Sequence, residues 1–283
     1  MAEVSLGLCH LGFLEVPPPE LIGIAAGAGF SGVSLRTRAA MSGGVAYDFS
    51  ADPAMARATR ARLEETGLGI LQVELASLSR DTDLDALRRF LESGAALGAA
   101  RVVATGDDED ETAMAEAFAA FADLAAGFGM SVDVEFMRFR PLGSLAQTIR
   151  VLTAAGRPNL KVMIDALHLF RSGGTCADIA AMDAGLIGCL QLCDAPAAPP
   201  RDGDFAGEAR GGRLLPGDGD LPLGELVALM PPGTLLAAEV PLAPRYGAPD
   251  PLARARAIFS STRALLEAGS RAGGREPAPP AQP

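Results

Sequence analysis

The sequence predicts a closed (β/α)8 TIM barrel formed by a single domain, and two features predict it. The first is a recurring unit in which an Ala/Leu-rich amphipathic stretch ends in Gly and a short β-branched run follows. The second is a set of eight short runs that are apolar on both faces rather than alternating, as parallel strands buried inside a barrel are. The chain length of 283 residues fits, since a complete barrel takes about 250.

The unit reads LIGIAAGAGF–SGVSL at 21–35, ARLEETGLG–ILQVEL at 61–75 and LESGAALGAA–RVVAT at 91–105. It returns as FADLAAGFGM–SVDVEF at 121–136 and VLTAAGRPNL–KVMID at 151–165. Gly29, Gly67, Gly98, Gly129 and Gly156 fall where a helix must end in a residue tolerant of positive φ. Their spacing of 27 to 38 residues is one βα unit each. With VSLGLCH at the start and two later runs, IGCLQLCD and TLLAAEVP, the strands are expected near 4–9, 32–36, 69–75, 101–105, 131–136, 161–165, 187–193 and 234–240. An open doubly wound sheet is the second choice, and the absence of GxGxxG after the first strand weakens it.

Two segments break the rhythm. Residues 195–222 form a Pro/Gly/Asp-rich connection far longer than the usual ~2–6 residues, and connections of that length are usually functional or mobile. The stretch from Gly269, GSRAGGREPAPPAQP, has no period and is expected to be a disordered tail, so the catalytic domain is placed at 1–268 and the tail at 269–283.

Composition narrows the partners. The formal charge is −11 and the pI near 4.7, so nucleic acid and anionic membrane surfaces are repelled. A small anionic substrate is not excluded, because a bound metal or local arginines can invert the field within a pocket. Cys9, Cys176, Cys189 and Cys193 form no CxxC pair and read as buried free thiols of a reducing compartment. A strand starting at Val4, with no signal-like segment before it and no apolar run long enough to span a bilayer, leads to the expectation of a cytoplasmic protein.

Barrel active sites lie at the C-terminal ends of the strands, so polar residues there carry the functional reading. They are His10, Arg36, Glu74, Glu135 (VDVEF), Asp165 (VMID), Gln191 with Asp194 (CLQLCD), and Glu239 (AAEVP). Each of the last four strands supplies an oxygen donor. Carboxylates converging in a low-dielectric pocket would be driven to protonate, and a divalent cation removes that penalty. Glu135, Asp165, Gln191 and Glu239 are donors of the kind that suit Mn²⁺ or Mg²⁺, with Co²⁺ as a further candidate. An isolated carboxylate at a strand end more often caps the next helix. Three carboxylates and an amide on adjacent strands at one level are harder to explain that way.

His168 stands three residues after Asp165, where it can face the same pocket as a substrate hydrogen-bonder or proton shuttle. His10, Arg36 and Glu74 are expected to contact substrate. Arg213, before LLPGDGD, reads either as part of a surface turn or as a lid residue that swings over the substrate. The acidic run Asp107–Glu111 reads as a solvated loop and helix start. No GxSxG elbow, Walker loop or HExxH is present.

These fragments resemble the xylose-isomerase-like barrels, the sugar phosphate isomerases and epimerases, over about residues 4–268. VEF at 134–136, IDALHLFRSGG at 164–174, QLCDAP at 191–196, RLLPGDGD at 213–220 and AAEVP at 237–241 carry the resemblance in order and spacing. It implies a metal quartet at Glu135, Asp165, Gln191 and Glu239, a substrate-contacting histidine at His168, a loop arginine at Arg213, and a homodimer. It also implies an isomerase or epimerase that abstracts a proton next to a carbonyl of a polyhydroxylated small molecule through a metal-stabilised enediolate, with Glu135 and Glu239 as base and acid. One departure matters. Most such isomerases have His where this chain has Gln191, and Gln followed by xxDAP resembles the 3-dehydroshikimate dehydratase branch. A lyase in which His168 protonates a departing hydroxyl is therefore the alternative. A non-catalytic binding barrel is a third reading, which four intact ligand positions oppose. Metal-dependent repair nucleases share the barrel but use many more histidines and a basic face.

Overall fold

Parallel strands buried on both faces can form an open sheet or a closed barrel, and here they close. In the computed structural model, which describes residues 6–41 and 43–273, eight strands pair in parallel in chain order and the last pairs with the first. They are β1 (Leu6–Cys9), β2 (Gly32–Arg36), β3 (Gly69–Leu78), β4 (Arg101–Gly106), β5 (Ser131–Glu135), β6 (Leu160–Asp165), β7 (Ile187–Leu192) and β8 (Leu235–Ala238). Each lies where the apolar runs put it, to within three residues; residues 4 and 5 of the first run fall outside the described residues.

The outer layer begins with α1 (Pro18–Ala28), α2 (Pro53–Thr66), α3 (Leu84–Ala96), α4 (Glu111–Ala126) and α5 (Leu145–Ala155). It continues with α6 (Ala166–Arg171), α7 (Cys176–Ala181), α8 (Phe205–Gly211), α9 (Leu223–Ala228) and α10 (Pro251–Gly273). The five glycines expected to end helices all hold φ between +61° and +105°. Side chains capping the helix starts satisfy donors that a helix leaves open: Asp110 accepts from Thr112 and Ala113, and Asp165 accepts from His168. The acidic run is thus a helix start, as expected; Asp107 and Asp108 within it pair with Arg140 and Arg80.

One expectation is corrected. Helix α10 runs to Gly273, five residues into the segment assigned to a disordered tail, and the rest of that segment, 274–283, lies outside the described residues. The 195–222 connection is not bare loop. It contains α8, and buried Arg171 of α6 ties it down by donating to both carboxylate oxygens of Glu208 and to the carbonyls of Pro196 and Ala198. Asp194 organises its far end by accepting from the backbone N–H groups of Ala195, Gly217 and Leu221.

The main core lies between barrel and helices, built from residues such as Leu8, Ile22, Val33, Phe118, Val134 and Ile164. A second, small cluster fills the inside of the barrel: Cys9, Leu75, Val103, Met163, Cys189 and Ala237. Beneath it the filling is polar. A Cβ on Gly188 would stand 2.3 Å from Asp133 Oδ1 and 2.6 Å from Arg101 Nη2, so β7 yields its inward position there to an ion pair. All four cysteines are buried free thiols. Among the described residues no helix is long and apolar enough to cross a membrane.

Candidate active site

A strand turns every second side chain to the same face, so the residues two positions beyond the inner cluster form the next layer up. That layer is Gln191 over Cys189, Asp165 over Met163 and Glu239 over Ala237, and Glu135 joins it two positions beyond Asp133 of the polar filling. Arg36 and Glu74 complete the ring, and all six are buried. Strands β5 to β8 place Glu135, Asp165, Gln191 and Glu239 at one end of the barrel, with His168 beside them.

Asp165 serves two functions at once. Its Oδ1 accepts the His168 N–H at 2.9 Å, capping α6, while its Oδ2 accepts from Arg213 Nη1 at 2.5 Å. Arg213 Nη2 lies 3.0 Å from Glu239 Oε2, Nη1 also reaches the Glu239 carbonyl at 3.2 Å, and Nε donates to the Ala209 carbonyl at 2.9 Å. Its backbone is pinned as well: its N–H donates to the Pro241 carbonyl at 3.1 Å and its carbonyl accepts from Ala243 at 2.8 Å. The lid expected here is corrected. Arg213 is fully buried, with donors already committed, and is a fixed cation in the floor of the site.

Gln191 Nε2 donates to Glu239 Oε1 at 3.3 Å and to Cys9 Sγ at 3.4 Å, leaving Oε1 buried and unpartnered. His168 Nε2 lies 3.7 Å from Glu135 Oε1, and its ring meets Phe139 edge-on at 5.7 Å. Arg36 donates from Nε and Nη2 to Glu74 Oε2 at 3.2 and 3.0 Å, which leaves Glu74 Oε1 buried and unpartnered.

His10 is the second correction. Its Nδ1 accepts the Arg36 N–H at 3.1 Å, its Nε2 binds the Val16 carbonyl at 2.9 Å, and its ring stacks on Tyr47. With both nitrogens used and no exposure, it braces the β1–β2 ends and does not line the cavity. Replacing His10 by Ala strands a buried N–H and a buried carbonyl. It is expected to lower the unfolding free energy by about 1–3 kcal/mol while Mn²⁺ affinity stays unchanged, measured by urea denaturation and titration calorimetry.

The electrostatics are dominated by burial. Desolvation, then the neighbouring Glu239 and Asp165, push the Glu135 carboxyl well above the usual range. Desolvation pushes Glu239 up to about 7, with Arg213 pulling the other way and Glu74 adding to the rise. Burial also acts on Asp165, but Arg213, His168 and the capping N–H outweigh it and hold that carboxyl below its ordinary value. Burial holds His168 down to about 4, so its imidazole is neutral near pH 7. Burial pushes the Cys9 thiol far up, so it keeps its proton.

Four carboxylates (Glu74, Glu135, Asp165, Glu239) face two guanidiniums (Arg36, Arg213), a surplus of two negative charges when all are ionised. Ligand atoms of Glu135, Asp165 and His168 lie within 4.8 Å of one another. Oxygen-rich donors, a surplus of two charges and the orphaned Gln191 Oε1 fit a divalent cation. Binding must displace protons held by Glu135 and Glu239. Mn²⁺ affinity is therefore expected to rise with pH up to and beyond about 7, with proton release seen as a buffer-dependent binding heat. An affinity constant between about pH 6 and 8 would contradict this.

The site opens into a cavity whose wall includes Arg36, Met137, Phe139, Arg140 and Arg210. Sequence reasoning missed the last four and Cys9. Met137, Phe139 and Arg140 follow β5 as a loop, and exposed Arg210 lies on α8 with its guanidinium 5.7 Å from the Phe139 ring centre. No periodicity marks such residues. Only their place after a strand known to carry a ligand could have pointed to them.

No curated protein matches the chain. Among solved structures, a xylose isomerase-like TIM barrel/4-hydroxyphenylpyruvate dioxygenase fusion protein superposes with TM-score 0.78 at 18 % identity, over 98 % of this chain. This chain spans only 46 % of that fusion protein's length. An IOLI protein with a bound zinc atom superposes with TM-score 0.79 at 15 % identity, over 94 % of this chain and 99 % of its own. A probable 3-DHS dehydratase, AsbF from Bacillus anthracis, gives 0.74 at 15 %, over 92 % and 99 %. At these identities the likeness is one of fold. The sequence model of one family, described as xylose isomerase-like TIM barrel, matches residues 22–257. The closed parallel barrel and that match over most of the chain agree, and the protein belongs to the xylose isomerase-like TIM barrel family.

Proposed function

We propose that the protein is a divalent-cation-dependent enzyme that abstracts a proton next to a carbonyl of a small polyhydroxylated molecule, as an isomerase or epimerase does. The observation that carries this reading is the convergence of Glu135, Asp165, Gln191 and Glu239 at one end of the barrel, Glu135 and Glu239 lining the cavity, with two negative charges in surplus once the four carboxylates are ionised. A cation there would polarise the carbonyl as a Lewis acid.

The chain's own residues divide the remaining work. Glu135 is the base: its carboxyl is raised by burial, and a neutral imidazole, that of His168, stands 3.7 Å from Oε1, near enough to take up the proton after a small side-chain shift. Glu239 is anchored by Arg213 and Gln191 and orients the substrate oxygen it faces. Arg36 and Arg210 line the approach. The test is solvent exchange. The Mn²⁺-loaded protein, incubated in D₂O with a panel of ketoses, aldoses and their phosphates, is expected to place deuterium on the carbon next to the carbonyl, read by NMR. No exchange with any of them would end the isomerase reading.

One observation favours a second reading, that of a dehydratase of the 3-dehydroshikimate type. Stereochemical inversion takes an acid and a base on opposite faces, and of the four carboxylates here only Glu135 is free of a guanidinium to serve as either. Elimination of water needs one base. With 3-dehydroshikimate and Mn²⁺, this reading expects the ultraviolet band of an aromatic product, and its absence across several divalent metals would remove it.

A further inference from the structure

Below the site, a line of polar side chains crosses the barrel interior. Gln191 Nε2 donates to Cys9 Sγ at 3.4 Å, and Cys9 Sγ donates to Ser34 Oγ across a long 4.0 Å. Ser34 Oγ donates to Gln72 Oε1 at 3.2 Å, and Gln72 Nε2 donates to Asp133 Oδ2 at 2.6 Å. Arg101 closes the line, with Nε on the same Oδ2 at 2.7 Å and Nη2 on Oδ1. Cys9, Ser34, Gln72, Asp133 and Gln191 are all buried, so water does not offer them alternative partners.

The direction of every bond follows from one end. The Asp133 carboxylate, facing Arg101, can only accept, so Gln72 must turn its NH₂ toward it and its carbonyl away. That carbonyl can only accept, so Ser34 gives it its single proton and has lone pairs left. Cys9 gives Ser34 its single S–H and presents lone pairs to Gln191. Gln191 therefore turns its NH₂ to Cys9, with the second N–H on Glu239 Oε1, and its Oε1 stands away from both without a partner. An amide and its flipped form have nearly the same shape, so packing does not choose between them and hydrogen bonds do.

We propose that this one-way chain, anchored at Asp133, holds the Gln191 amide with its carbonyl oxygen presented to the cation, and that Cys9 and Gln72 are positioning residues for it. The flipped amide would present N–H donors, which repel a cation. The proposal rests on the reading of Gln191 as a cation ligand.

The experiment is Mn²⁺ titration by calorimetry and by electron paramagnetic resonance of the free ion. It compares the wild-type protein with Cys9→Ala, Cys9→Ser and Gln72→Met, with melting temperatures alongside. Cys9→Ala and Gln72→Met are expected to weaken Mn²⁺ binding by roughly tenfold or more. Cys9→Ser, which keeps a donor and an acceptor, should stay within about threefold of wild type. Gln72 bonds to Ser34 and Asp133, with Nε2 also 3.7 Å from Met163 Sδ, and touches none of the proposed ligands, so a loss of affinity in Gln72→Met, which keeps an apolar contact to Met163, reports on the chain. Lower melting temperatures with unchanged Mn²⁺ affinity in both variants would reduce the chain to a structural role and overturn the proposal while leaving the cation site standing. No uptake by the wild-type protein would overturn both. A thiolate-to-cobalt charge-transfer band in the Co²⁺-loaded protein, lost in Cys9→Ala, would put the thiol on the ion and also overturn it.

Discussion

Replacing Arg213 by Met is expected to destabilise the protein by about 3–5 kcal/mol, seen as a lower urea midpoint at an unchanged m-value. The guanidinium is fully buried against the Asp165 and Glu239 carboxylates, and Asp165 has no exposure of its own. Methionine fills much of the volume but leaves those charges uncompensated in a low-dielectric floor. The pH dependence has a definite sign. In the wild-type protein Arg213 contributes to holding Asp165 below its usual value, so the stability from that pair is present above the ordinary carboxylate range and lost as pH falls through the depressed value. In the variant, burial acts on Asp165 without that opposition and its carboxyl rises, so protonation relieves the penalty. The gap between variant and wild type should narrow toward acid. A loss under about 1 kcal/mol would mean the pair behaves as a solvated surface contact.

The Glu135→Gln variant should move stability and cation binding in opposite directions. Its carboxyl is raised by burial and by two neighbouring acids, so ionising it costs the metal-free fold stability. That cost is absent below the ordinary carboxylate range and grows as pH rises through the raised value. A neutral isostere removes it. Without added metal, the variant should melt above the wild-type protein at pH 8 and lose that advantage toward acid. Its Mn²⁺ affinity should fall by at least roughly 100-fold, the upper end of what losing an outer partner of a ligand costs. More stability with less function is the pattern expected where a buried charge is kept for chemistry. A variant that melts lower and binds Mn²⁺ as the wild type does would take Glu135 out of the site.

The correspondence between sequence and site is uneven for physical reasons. Glu135, Asp165, Gln191 and Glu239 were legible because a charged or amide residue ending an otherwise apolar strand has few stable places to go except the barrel mouth. His168 was legible because it stands three residues after Asp165, the N-cap of the helix that starts there, and that cap ties the two together. His10 misled because a histidine at a strand end looks the same whether it faces a cavity or, as here, accepts the N–H of Arg36 and bonds to the Val16 carbonyl. The long connection after β7 was legible as an exception in length. Its anchoring by Arg171 to Glu208 was not, because ion pairs between residues 37 apart leave no local trace. The tail boundary was misplaced because Gly and Ala near 269–273 weaken a helical pattern that α10 nonetheless continues.

What the sequence determined by itself is the barrel and the level of its site, since strand period, apolar runs and helix-stopping glycines are local and repeat in register. What only the tertiary structure decided is which polar groups meet. Arg213 became a buried partner of Asp165 and Glu239 rather than a lid, and Cys9, apolar to the eye in a strand, became the acceptor that turns Gln191. Closing the sheet puts β1 beside β8, and pairing of that kind across the whole chain is information that no window of sequence holds.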